Sequence, residues 1–342
     1  MQAREVRTLV PAQRALRPLR PSRLLALLPP SVTVSGGLAE VCDSLLTHHH
    51  MLDLHLAHLQ AGMDSSWGPE PSPAGPADAA VLFMPRSKAR ASFLMAAFAS
   101  LCPEEGHLVL VGGKRSGAAS MRSRIEEGFG PVVEEVRARG CVALTAARGR
   151  VSATPVGEER FSVPGPGGKA LTAVSLPGVF SHGRLDPGTE LLLEHLEPGS
   201  FRRALDWGCG CGVIGAFLAA AGPEGLVDLA DVDAMAVEAS RRTLSANGLR
   251  NARVRGSVGF SRLDGPWDLI AANPPFHRGA GRDRGPAETL LREAPSRLGK
   301  GGRLVLVANA FLPYERLLRA GFGAVRSLCE GEGYKVLEAV RK

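Results

Sequence analysis

The run Leu205-Asp206-Trp207-Gly208-Cys209-Gly210-Cys211-Gly212-Val213-Ile214-Gly215 constrains the fold of this chain more than any other stretch. A short apolar strand enters a turn with glycine at every second position and leaves as an apolar helix. Glycine bends readily into left-handed backbone and lets a ligand approach the main-chain N–H groups at a helix start. Strand, glycine turn and helix in this order open a doubly wound α/β sheet, whose ligands sit beyond the carboxyl ends of the strands. The acid just before the glycines narrows the ligand. A dinucleotide pyrophosphate would be repelled by a carboxylate there, whereas a cationic ligand bearing an ammonium group is attracted. Asp206 therefore favours S-adenosylmethionine over a nicotinamide dinucleotide.

The rest of the C-terminal half continues the alternation. Strands are expected at 204–207, 226–230, 252–255, 267–272 and 303–308, helices at 212–220, 234–247 and 287–298, and two further strands at 324–328 and 335–340. This predicts a doubly wound, Rossmann-like sheet with an added antiparallel pair at one side. The N-terminal half alternates less clearly, with strands at 80–83 and 107–111, a helix at 89–101 and another from Ser116. Two tandem domains of one fold class follow, as a length of 342 residues allows. The Gly/Pro-rich stretch Pro164–Gly168 suggests the boundary, giving domains at 36–165 and 170–342.

Residues 1–35 carry six arginines against Glu5, and prolines 11, 18 and 21 interrupt any helix there, so a disordered basic tail is expected. With 44% hydrophobic and 22% charged residues, the chain is neither fibrous nor disordered as a whole, and no apolar run is long enough for a membrane span. Cys42, Cys102, Cys141, Cys209, Cys211 and Cys329 have no metal or redox spacing and read as free thiols in a reducing cytoplasm.

Two more positions carry chemistry. Asp231 closes the second strand of the C-terminal half, where a carboxylate accepts hydrogen bonds from ribose hydroxyls. Asp233 is the better N-cap for the helix that follows. Asn273-Pro274-Pro275-Phe276 follows the fourth strand directly. An amide oxygen, a backbone carbonyl and a proline without an N–H make an acceptor-rich slot, and Phe276 can stack on a flat heterocycle. The slot suits the exocyclic amine of a nucleobase or an amide nitrogen.

Residues 170–342 resemble the class I methyltransferases of the bacterial small-subunit (16S) ribosomal RNA guanine-N2 type. The stretches that carry the likeness are LPGVFSHGRLDPGTELLLEHL, LDWGCGCGVIGAFLA, DVDAMAVEASRRTLSANGL, WDLIAANPPFH, GGRLVLVANAFLPY and GYKVLEAV. The N-terminal half is similar to that family's non-catalytic domain through VLFMPRSKARASF and LVGGKRSG. The resemblance implies methyl transfer from S-adenosylmethionine to guanine N2, a first domain that recognises RNA without cofactor, and a cytoplasmic, monomeric enzyme acting on ribosomal RNA or the small subunit. It implies that Asp206, Gly208, Gly210 and Gly212 hold the methionine moiety, that Asp231 with Val232 holds the ribose, and that Asn273, Pro274 and Phe276 receive the base. Where such enzymes often hold the adenine amine with Asn or Asp, this chain offers Ser257.

The alternatives are a sister enzyme acting on large-subunit ribosomal RNA and a non-catalytic RNA-binding assembly factor. Lys114 and Arg115, the arginines at 241, 242, 250, 253, 255 and 262, and those at 278, 282 and 284 are candidate phosphate contacts. His48, His49, His50, His55 and His58 are not expected to hold a metal, because the run spreads around several faces of a helix.

Overall fold

The computed structural model describes residues 2–72, 75–149, 157–275 and 285–342. The chain divides into two compact units after Gly157.

The first unit contains α1 (Gln2–Leu16), β1 (Arg23–Leu27), α2 (Val32–Ala39), β2 (Ser44–His49), α3 (Leu52–Gln60), β3 (Ser65–Trp67), β4 (Ala79–Phe83), α4 (Lys88–Leu101), β5 (His107–Gly113), α5 (Arg122–Gly128), β6 (Val132–Ala138) and β7 (Cys141–Ala147). The strands form one sheet in the order β3-β2-β1-β4-β5-β7-β6, parallel up to β5 and antiparallel beyond it. Successive β1 residues alternate between the two faces. Leu24 and Ala26 pack with Ala12, Ala15, Leu16 and Leu38 on one side, while Leu25 and Leu27 pack with Leu94, Phe98 and Phe129 on the other.

These elements correct the expected disordered tail. Residues 23–27 form an interior strand of the sheet, and residues 2–16 form a helix whose inner stripe is fully buried. Pro11 sits inside α1, where burial of its neighbours outweighs the lost backbone hydrogen bond. Pro18 and Pro21 fall in the connection to β1. Arg7 and Arg14 are exposed on α1, Arg17 and Arg20 are exposed in the connection, and Arg23 is exposed at the start of β1.

The second unit opens with the hairpin β8 (Glu159–Pro164) and β9 (Ala170–Ser175), followed by α6 (Pro187–His195), β10 (Arg203–Trp207), α7 (Val213–Ala221), β11 (Leu226–Asp231), α8 (Ala234–Ala246), β12 (Ala252–Gly256), β13 (Trp267–Ala272), α9 (Pro286–Arg297), β14 (Leu298–Asn309), α10 (Tyr314–Arg319), β15 (Ala324–Gly331) and β16 (Tyr334–Val340). Its sheet order is β12-β11-β10-β13-β14-β16-β15, with the last pair antiparallel as expected. The Pro164–Gly168 stretch is the turn of the β8–β9 hairpin and not a linker. The hairpin docks on α8: the Val174 N–H donates to Thr243 Oγ1 at 2.9 Å, and Asn247 bonds both backbone groups of Thr172. The unit therefore begins about a dozen residues earlier than the sequence suggests, at Glu158. Its core joins Leu205, Trp207, Phe260, Trp267, Ile270 and Leu306 behind the carboxyl edge of the sheet.

Among the described residues, no helix is long and apolar enough to cross a membrane.

Candidate cofactor and acceptor site

The glycine turn between β10 and α7 is left-handed at all three predicted positions, with φ of 73° at Gly208, 55° at Gly210 and 80° at Gly212. A side chain at Gly212 would lie 2.9–3.0 Å from Ser240 on α8, so here glycine is required by packing as well as by backbone. Above Gly208 and Gly210 the space is open. The Gly208 and Cys209 N–H groups donate back to Ala230 O at 2.8 and 3.0 Å, and Ser240 Oγ donates to Gly210 O at 3.0 Å. The turn is thereby clamped between β11 and α8 and presents a fixed concave backbone.

Asp206 is fully buried at the end of β10. One oxygen accepts the Gly215 N–H in the first turn of α7 at 2.8 Å, and the other has no hydrogen-bond partner among the described residues. Burial, with Asp231 nearby, pushes its carboxyl up to about 7, although the Gly215 bond works against this. A buried carboxylate with an orphan oxygen is a strong receptor for a cation.

Asp231 ends β11 beside the turn. It accepts the Gly210 N–H at 3.0 Å through one oxygen and the Asp233 N–H at 2.9 Å through the other. Burial pushes it up to about 6. Each oxygen keeps capacity for a further donor, so the carboxylate can take two vicinal hydroxyls. Val232 follows, half-buried, and Asp233 caps α8 by accepting the Met235 N–H at 3.0 Å. The Ser257 hydroxyl is engaged within its own loop, donating to Gly259 O at 3.0 Å and accepting from Arg262 N at 3.3 Å. Its main chain, tied to Asp231 O at 2.9 Å, keeps the loop beside the site.

Asn273 follows β13 directly. Its Nδ2 donates to Asp186 Oδ2 at 2.9 Å and to Thr189 Oγ1 at 2.8 Å. Asp186 also caps α6 through the Thr189 N–H at 2.9 Å. Sequence reading missed these two residues, since their partner lies 87 and 84 positions away. The only local signal was the Asp-Pro helix start. Pro274 is buried and Pro275 exposed. The expected stacking residue Phe276 lies outside the described residues, as do His277, Arg278, Arg282 and Arg284.

Several of the arginines expected at phosphate meet carboxylates instead. Arg242 pairs with Glu238 at 2.9 Å and Glu158 at 3.2 Å, Arg241 with Glu238 at 3.8 Å, and Arg255 with Asp264 at 4.0 Å. Arg253 and Arg203 both pair with the buried Asp228, which also accepts the Trp267 indole N–H at 2.8 Å.

The first unit has the same strand order, and a shared hydrogen bond aligns it with the second. Asp78 Oδ2 accepts the Arg23 N–H at 2.8 Å, and Asp268 Oδ2 accepts the Arg203 N–H at 3.0 Å. Counting from these pairs, Ala26 stands where the second unit has Asp206, His49 where it has Asp231, and Phe83 where it has Asn273. Leu28-Pro29-Pro30 replaces the glycines. Lys114 and Arg115 are exposed beyond the end of β5.

Known proteins resemble this chain in sequence and in fold across both units. Residues 170–338 match the Methyltransferase small domain family, and residues 13–154 match its N-terminal counterpart, Methyltransferase small domain N-terminal. The Ribosomal RNA small subunit methyltransferase C of Pseudomonas entomophila (strain L48) is 42% identical over 268 residues, covering 77% of this chain and 79% of that protein. That of Chromohalobacter salexigens is 40% identical over 278 residues, covering 79% and 80%. Among solved structures, the T. thermophilus 16S rRNA N2 G1207 methyltransferase in complex with AdoMet and guanosine aligns with a TM-score of 0.82 and 30% identity, over 97% of this chain and 92% of that one. Similarity of this extent, across both units, means that the chain belongs to the ribosomal RNA small subunit methyltransferase C family.

Proposed function

We propose that the chain transfers the methyl group of S-adenosylmethionine to the exocyclic N2 amine of a guanine in 16S ribosomal RNA. The observation that carries the reading is Asn273. Both amide hydrogens are engaged by Asp186 and Thr189, so the side chain offers only its carbonyl oxygen at the carboxyl edge of the sheet. The residues around the glycine turn suit the cofactor: an orphan buried oxygen on Asp206 for its cationic amino acid end, open backbone at Gly208 and Gly210, and spare acceptor capacity on Asp231 for its ribose.

The bound cofactor supplies an electrophilic methyl carbon on a sulfonium. The chain's own part is positional. Guanine N2 is a poor nucleophile because its lone pair is delocalised into the ring. Asn273 Oδ1 and the Pro274 carbonyl accept its two N–H groups, which localises the lone pair and aims it. The proton leaves to water afterwards. The base has to be unstacked to reach the slot, and Phe276 is suited to stack on it. We further propose that the first unit, with Ala26, His49 and Phe83 at the equivalent places, takes no cofactor and recognises RNA, Lys114 and Arg115 touching phosphate. The enzyme acts as a cytoplasmic monomer on ribosomal RNA or the small subunit, and makes no use of a membrane.

The test is methylation of separated small and large subunits from cells lacking this activity, read by mass mapping of nucleosides. N2-methylguanosine gained in 16S RNA is expected. Methyl incorporation into large-subunit RNA alone, or none at all, would overturn the proposal.

A further inference from the structure

Asp186, Thr189 and Asn273 form a closed hydrogen-bond triangle whose polarity has one solution. An ionised Asp186 can only accept. Its Oδ2 takes the Thr189 N–H at 2.9 Å, the Thr189 hydroxyl at 3.3 Å and Asn273 Nδ2 at 2.9 Å. The Thr189 hydroxyl then donates its one hydrogen to Asp186, and its oxygen is free to accept the other Nδ2 hydrogen at 2.8 Å. Both hydrogens of the amide are committed, and a flip of the amide would set its oxygen against a carboxylate. The triangle is also mechanically braced. Thr189 is buried, and Asp186 is the N-cap of α6, with Pro187 at the first helical position. A side chain at Gly188 would come within 3.1 Å of both Asp186 Oδ2 and the Tyr334 ring, so the first turn of α6 fits against β16 with no room to spare.

We infer that Asp186 and Thr189 are positioning residues that lock the Asn273 amide with its oxygen toward the acceptor, so that the slot accepts an amine and rejects a hydrogen-bond acceptor in its place. This rests on the acceptor reading proposed above. The negative charge behind the NH2 group also draws amide electron density onto Oδ1, strengthening its bond to the amine as positive charge develops there. The first unit lacks the arrangement, having Phe83 at the position of Asn273.

The test uses the full-length chain with AdoMet and unmethylated small subunits. Thr189→Val keeps the shape and the backbone cap but removes one acceptor of the amide. Asp186→Ser keeps a capping oxygen but is one atom too short to reach Asn273. Each is expected to lower kcat roughly 10- to 100-fold, leave KM and AdoMet affinity within about twofold, and cost nothing further in an Asn273→Ala background. Circular dichroism verifies folding, and if Asp186→Ser fails to fold, Thr189→Val decides alone. Wild-type kcat in the folded variants, or an equal loss in the Asn273→Ala background, overturns the inference. A fully active Asn273→Ala single variant overturns the acceptor reading as well, and so is distinguishable from failure of the positioning alone.

Discussion

Asp231 and His49 hold the same place in the two sheets: each is the last residue of the second strand from the parallel edge. Asp231 faces a bend of open glycines and keeps room for further donors. His49 is fully buried, with neither ring nitrogen hydrogen-bonded among the described residues. Calorimetry should therefore find one AdoMet per chain. Asp231→Ala should weaken binding about 10- to 100-fold, the loss of one or two charge-assisted hydrogen bonds. His49→Asp should add no second site, because Ala26 and Leu28-Pro29-Pro30 still replace the rest of the receptor.

The two raised carboxyls should make cofactor binding pH-dependent if they form its receptor as proposed. A folded-state carboxyl above its usual value holds its proton, so in the free protein Asp206 and Asp231 lower stability as pH rises from 3.8 toward about 7 and about 6 respectively. A bound cation and ribose hydroxyls favour the ionised forms. AdoMet affinity should thus rise between pH 5 and about 8, with proton release on binding, readable as a buffer-dependent heat. Asp206→Asn should remove the upper part of this rise. Affinity that is flat across the window would contradict the assigned receptor.

Asn273→Ala should lower kcat by about two to three orders of magnitude, as loss of one oriented transition-state contact does. AdoMet affinity should stay near wild type, because Asp206, Asp231 and the glycine turn are untouched. Single-turnover kinetics separate the two effects.

The histidines at the end of β2 give the first unit an acid limit. Burial draws His48, His49 and His50 down to about 3, helped by the neighbouring His50, His58 and Arg90 charges respectively. A base held neutral in the fold contributes stability in full above its unfolded value of 6.5 and loses it as pH falls toward 3. Trp67 donates its indole N–H to His50 O at 2.7 Å and is the one tryptophan of the first unit. In a variant carrying Trp207→Phe and Trp267→Phe, its emission should report unfolding that begins below about pH 6. His49→Leu should move the midpoint to lower pH without weakening the fold at neutral pH, since it removes an unsatisfied buried polar ring.

Deleting residues 1–20 distinguishes a packed helix from a loose tail. Ala12, Ala15 and Leu16 are fully buried against β1 and its neighbours. Losing them should cost at least about 3 kcal/mol and lower the melting temperature of the first unit by several degrees. An unchanged melt would mean that α1 does not hold the sheet.

The second unit was legible where local pattern and ligand chemistry coincide. Strand, glycine turn and helix at 205–215, the strand-ending Asp231 and the rigid Asn273-Pro274-Pro275 segment each announce themselves within a few residues. Their demands for left-handed backbone, a carboxylate at a strand tip and an amide at a sheet edge are local. The tail failed for the opposite reason. Arginines and prolines in 1–35 looked unfit for a core, yet Leu24, Leu25, Ala26 and Leu27 are buried on both faces of an interior strand, a pattern with no alternation to betray it.

By itself, then, the sequence determined the fold class, the left-handed glycine turn after β10 and the Asn273-Pro274-Pro275 segment after β13, because each depends on residues adjacent in the chain. Only the tertiary structure decided which way the Asn273 amide points, which arginines are taken up by Glu238, Glu158 and Asp228, and that His49 stands in the first unit where the second has Asp231. The reason is that each of these is a contact between elements far apart in sequence, fixed by strand register and helix docking, and nothing in a local stretch encodes its partner.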